Sequence, residues 1–174
     1  MPKPTQILSD EHQNILKVIN ALLKEGDLLQ QNKDLDKSFF AKAVDFIRNY
    51  ADKFHHAKEE DILFKELGKD SVQMHCNPID QMLYEHDLGR NFVKGLVDAL
   101  EKDDKLKVIE NARGYALLLQ DHIFKEDNIL YPMADQALSQ SDQESIGERF
   151  KQVEEKFNQE KDKYLNIVKE LTGE

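Results

Sequence analysis

Apolar residues recur along this chain at helical spacing from end to end, and the interruptions fall where helix termini need them. Ile15, Leu16, Ile19, Leu22 and Leu23 form a first stripe with His12 on its inner face; Ser9 is the predicted N-cap, and Gly26 with the polar stretch through Asn32 loosens the end. A second helix is predicted from about Asp36 to Leu67, with Val44, Ile47, Ala51, His55, Glu59 and Ile62 on one stripe and Gly68 as its stop. His56 falls about 100° round that helix from His55, toward Asp52 and Glu60, which predicts a surface position or one behind the ligands. Asn77-Pro78 reads as an N-cap and first-turn proline for a third helix, whose inner face carries Ile79, Met82, Leu83, His86, Val93, Leu96, Val97 and Leu100 until Asp103-Asp104. Gly89, near His86, marks a place where backbone or metal needs room.

The fourth helix, about Leu106 to Leu138, places Ala112, Tyr115, Leu119, His122, Glu126, Ile129 and Leu130 inward, with Pro132 expected to kink or interrupt it. Ser141-Asp142-Gln143-Glu144 reads as a capping box for a fifth amphipathic helix, about 141–172, bearing Ile146, Phe150, Val153, Phe157, Tyr164, Val168 and Leu171. The expected fold is all-α: an up-down-up-down four-helix bundle over about 8–138 with an additional C-terminal helix, in one domain spanning 1–174. The fifth helix either covers the bundle or pairs with a second copy or another protein; the pattern does not choose.

Composition narrows the function. The 24 Lys and Arg against 34 Asp and Glu give a net charge of -10, spread along the chain, which argues against nucleic acid as a partner. No run reaches membrane-spanning length and the first residues lack a signal-peptide core, so a cytoplasmic protein that does not engage membranes is expected. The single Cys76 fits a reducing compartment and excludes a thiolate metal cluster; with His75 beside it, it is an incidental loop thiol.

One pattern occurs twice: His55 to Phe64 and His122 to Tyr131 both read H-x-x-x-E-x-x-I-L-aromatic. Residues four apart share a helix face, so His55 with Glu59 and His122 with Glu126 each present an imidazole and a carboxylate to one point. With His12 and His86 from the other two helices, six candidate metal ligands face one interior: His12, His55, Glu59, His86, His122 and Glu126. A single histidine on an apolar face is more often an ordinary core residue, and a lone Glu is more often ion-paired. Together they need a cation, and Lys58 and Lys125, one residue before each Glu, lie off its face. If both carboxylates bridge two octahedral ions, the six residues fill about eight of roughly twelve positions and leave room for a bridging oxo or hydroxo group and a small ligand. Tyr115, a heptad before His122, is the candidate catalytic hydrogen-bond or proton donor, although a plain core tyrosine reads equally well.

The order H, HxxxE, H, HxxxE, with Glu85-His86-Asp87-Leu88-Gly89-Arg90 around the third histidine, resembles the hemerythrin-like (HHE cation-binding) family. That resemblance implies two non-haem iron ions on the same six residues, with manganese or zinc as substitutes. Two features differ from the oxygen-storing members: Met82 stands where they carry a further histidine, and Glu126 serves where they use an Asp one residue on. An additional first-helix histidine of the resembling iron-sulfur repair proteins is absent near Lys33. These differences point away from a pure oxygen carrier and toward binding, sensing or reduction of dioxygen, nitric oxide or peroxide, as an oxidoreductase if an enzyme. The alternative is an iron-handling or iron-centre repair protein that stores iron or donates it to a partner.

Overall fold

The computed structural model describes residues 2–174, and among these every regular element is helical. Helix α1 spans Pro4–Gln30. It begins before the expected Ser9 because Pro4, with no N–H to leave unsatisfied, occupies the first turn after the extended Lys3. It ends where Asn32 takes a left-handed conformation (φ 71°) and the Lys33 N–H reaches back to the Leu28 carbonyl. Helix α2 covers residues 37–67, capped by Asp36, whose side chain accepts from the Phe39 N–H at 3.0 Å. Helix α3 is Ile79–Glu101, with the Asn77 side chain accepting from the Ile79 N–H. Helix α4 covers residues 105–137 behind the Asp104 cap. Pro132 does not end it, since the helix runs on to Ala137.

Helix α5 is Gln140–Thr172. Its capping box is Ser139 with Asp142, two residues before the expected Ser141, because Ser139 has the extended backbone that lets its hydroxyl reach the Asp142 N–H. The helix lies along α1 and α2, burying Ile146, Phe150, Tyr164, Ile167 and Val168 and stacking Phe157 on Phe54 at 4.1 Å. It therefore covers the bundle. No helix is long and apolar enough to cross a membrane among the described residues.

The core is divided along the bundle axis. One apolar cluster holds Ile15, Ile19, Phe46, Tyr50, Leu96, Ala112 and Leu119; the other holds Leu8, Ile62, Leu63, Met82, Leu130 and Ala134. In each of the first four helices the histidine or the His–Glu pair falls between residues of these two clusters. A polar layer is thus sealed between two apolar ones.

Candidate metal centre

Helix α2 is π-helical over Ile47–His56 and again over Glu59–Leu63, and α4 is π-helical over Glu126–Leu130. Each carboxylate of the repeated motif opens a π turn, with the Phe64 N–H bonded to the Glu59 carbonyl and the Tyr131 N–H to that of Glu126. A π turn takes one residue more than an α turn, which rotates the following register by about 100°. That rotation overturns two expectations. Ile129, expected on the core face, is 48% exposed while Leu130 and Tyr131 are buried. For His56 only the surface alternative is overturned: it lies in the first π-helical stretch and is buried beside the other histidines.

The six expected residues are all buried and converge. His86 Nε2 stands 2.9 Å from His122 Nε2 and 3.5 Å from Glu59 Oε2; Glu126 Oε1 lies 3.2 Å from His122 Nε2, and Glu126 Oε2 lies 3.3 Å from His12 Nε2. His55 Nε2 is 3.7 Å from Glu59 Oε2. Ligands at right angles on an ion roughly 2.1 Å away stand about 3 Å apart, so these spacings suit the edges of coordination polyhedra. His55 Nε2, Glu59 Oε2 and both Glu126 oxygens are buried without an aligned hydrogen-bond partner. Four orphaned ligand atoms in one place are the mark of a group that would complete them. The nitrogen and carboxylate donor set fits iron, manganese or zinc.

Every one of these histidines is fixed from behind. His12 Nδ1 meets Asp127 at 2.9 Å, His55 Nδ1 meets Glu11 at 2.8 Å, His86 Nδ1 meets Glu60 at 2.7 Å and His122 Nδ1 meets Glu85 at 2.8 Å. A carboxylate on Nδ1 places the proton there and turns Nε2, with its lone pair, to the interior. Lys58 pairs with Glu11 and Lys125 with Glu85, so neither lysine neutralises the inner carboxylates. These partners repeat with the motif: Glu11-His12 and Glu85-His86 on α1 and α3, Lys58-Glu59-Glu60 and Lys125-Glu126-Asp127 on α2 and α4. The aromatic ends cross over as well, Phe64 stacking on His86 and Tyr131 on His12. The sequence reading missed this outer ring, although its signal is present as the two E-H pairs and the doubled K-E-acid run.

Two of the differences between the halves bear on the interior of the site. Tyr131 has a hydroxyl where its counterpart Phe64 has none, and donates it to Glu59 Oε1 at 2.5 Å. His56, whose counterpart is Ile123, lies parallel to His86 with ring centroids 3.8 Å apart. Beside it a cavity of about 240 Å³ is lined by Ile47, Asp52, His86, Gly89, Val93 and Tyr115, among others. Arg90 also lines it and ties Asp52 on α2 to Glu60. The Tyr115 hydroxyl is buried there without a partner, and Gly89 packs against the Tyr115 ring. His75 and Cys76 are exposed and stand apart from the cluster.

Electrostatics follow from this packing. Burial opposes the imidazolium at His12 and His122, but the carboxylates of Asp127 and Glu126 raise His12 to about 9, and Glu126 with Glu85 raises His122 to about 10. Burial and the charge of Glu126 push Glu59 well up, while the charges of His122 and His12 overcome burial and hold Glu126 well down. Burial and the Asp52 carboxylate push Tyr115 upward, and burial with Glu126 and Glu59 does the same to Tyr131, so both remain hydrogen-bond donors.

A family model described as Hemerythrin HHE cation binding domain matches residues 3–134. No curated protein and no solved structure matches the chain.

Proposed function

The chain belongs to the hemerythrin HHE cation-binding domain family, and on that premise we propose that it is a non-haem di-iron protein that binds, senses or reduces dioxygen, nitric oxide or peroxide. The observation that carries the reading is the set of buried, unpartnered ligand atoms on His55, Glu59 and Glu126, facing the Nε2 atoms of three further histidines. His12, His55, His86 and His122 would hold the ions through Nε2, and Glu59 and Glu126 would hold the pair together. Iron bound here would supply one-electron exchange and Lewis acidity toward a small oxygen or nitrogen ligand.

The remaining work belongs to the chain. The four backing carboxylates fix the imidazole tautomers and orientations before any ligand arrives. The two apolar clusters exclude bulk water. The cavity beside His86, at about 240 Å³, has ample room for a diatomic or a peroxide, and Tyr115, whose hydroxyl no protein group takes, is among the residues that line it. Inner ligands between 0 and 2% exposed favour retention of the ions over their delivery to a partner.

Metal content per chain, measured with the near-ultraviolet and visible spectrum before and after air or azide, tests the reading. Two irons with charge-transfer bands that respond to azide are expected. A colourless chain that takes up no iron on anaerobic reconstitution overturns it.

A further inference from the structure

The two-fold repeat of the site makes its departures informative. His56 occupies the place that Ile123 holds in the other half, where an aliphatic side chain would bury at no polar cost. Instead a second imidazole follows His55 and is only 5% exposed. One of its ring nitrogens lies within 4.8 Å of ring nitrogens of His86 and His122, while His12, His55, Glu59 and Glu126 form a separate convergent group. The ten-residue π-helical stretch ending at His56 is what lets adjacent residues serve both groups, His55 toward His12 and His56 toward His86.

We propose that His56 is a third imidazole ligand to the ion held by His86 and His122, so that the chain binds an unequal pair of ions. One has three histidines; the other has His12 and His55, with the Tyr131 hydroxyl close by. The inference rests on the dinuclear reading above. Like the four expected ligands, His56 has a carboxylate behind it, although farther off: its Nδ1 faces Asp52 Oδ1 at 3.4 Å, against 2.7 to 2.9 Å for theirs, leaving Nε2 free. Asp52 in turn is gripped by Arg90, through Nη2 at 2.7 Å and Nε at 3.1 Å. Carboxylate, imidazole and guanidinium form one chain of contacts, and its inner end is a stack of two histidines.

Anaerobic titration with Fe(II), and separately with Co(II), tests this by counting sites and their affinities against a competing chelator. Wild type should fill two sites. In His56→Gln one site should keep its affinity while the dissociation constant of the other rises at least about tenfold, and the visible Co(II) bands of that site should change. Added imidazole should restore the second site in His56→Gly. Unchanged affinities and bands in folded His56→Gln overturn the proposal.

Wild type alone gives a second measurement, independent of how the variants fold. In long-range 1H–15N spectra of the Zn(II)-loaded chain, five of the six histidines should carry metal-shifted nitrogens, with His75 the free one. Four shifted histidines, with His56 among the free ones, overturn the proposal and leave the dinuclear reading intact. A wild-type chain that takes up no ion overturns both.

Discussion

His86 and His122 face each other through their Nε2 atoms, 2.9 Å apart, while the Nδ1 atom of each is committed to a carboxylate, Glu60 and Glu85 respectively. With both Nδ1 atoms protonated, two lone pairs would meet in a buried space. Only a cation between them, a proton or a metal ion, makes that arrangement favourable.

Metal and protons should therefore compete. Without metal, His12 stays protonated to about pH 9 and His122 to about pH 10. Both values are raised above the unfolded range, so the stabilisation they give the metal-free chain is complete below about pH 6.5 and is lost as pH rises through 9 to 10. Metal binding must displace these protons. Apparent metal affinity should rise between pH 6 and 9 with proton release, which chelator competition and titration in weak buffer would detect; a pH-independent affinity contradicts this.

His55→Ala or Glu126→Ala should lose metal and the stability that metal confers. Each variant removes one inner ligand and leaves buried neighbours uncompensated. The measurement is metal content together with the shift in melting temperature on metal addition: large in wild type, small in the variants. Full occupancy of both sites in either variant counts against the six-residue assignment.

The backing carboxylates should separate metal affinity from folding. Glu85→Gln should weaken metal binding about 10–100-fold through His122, yet cost less than about 1 kcal/mol of stability, because Lys125 is partly solvated. Glu11→Gln should weaken binding similarly through His55 but cost about 3–5 kcal/mol, because it leaves Lys58 buried over the Phe54 ring with only the more distant Glu154. Chemical denaturation of the metal-free variants would show the difference; equal costs would refute it.

Tyr115→Phe should leave metal content unchanged and make the chain more stable by about 1 kcal/mol, since the buried hydroxyl has no protein partner. If that hydroxyl serves the small ligand, the same variant should release the ligand faster. Val93→Phe should narrow the cavity and slow ligand binding without loss of metal. Rapid-mixing kinetics with nitric oxide or azide would follow both variants.

Much of this protein is written locally. Apolar periodicity, the Asp36 and Asp104 caps and the Gly68 stop follow from side-chain chemistry within a few residues, and they mark out the helices. The H-x-x-x-E spacing alone puts His55 near Glu59 and His122 near Glu126 on any regular helix, so the six inner residues and their residence in one bundle are legible from the sequence. The outer ring shows in the sequence only as repeated E-H pairs and K-E-acid runs; its pairings do not, since the contacts of His12 with Asp127 and His55 with Glu11 span 115 and 44 residues and depend on how four helices face one another. The burial of His56 was decided by the tertiary structure alone. An i+4 pattern assumes an α-helical turn, and sequence periodicity carries no mark of the π turns that rotate His56 inward and Ile129 outward. Those turns persist where packing of the surrounding helices holds a wider backbone than the isolated segment would adopt.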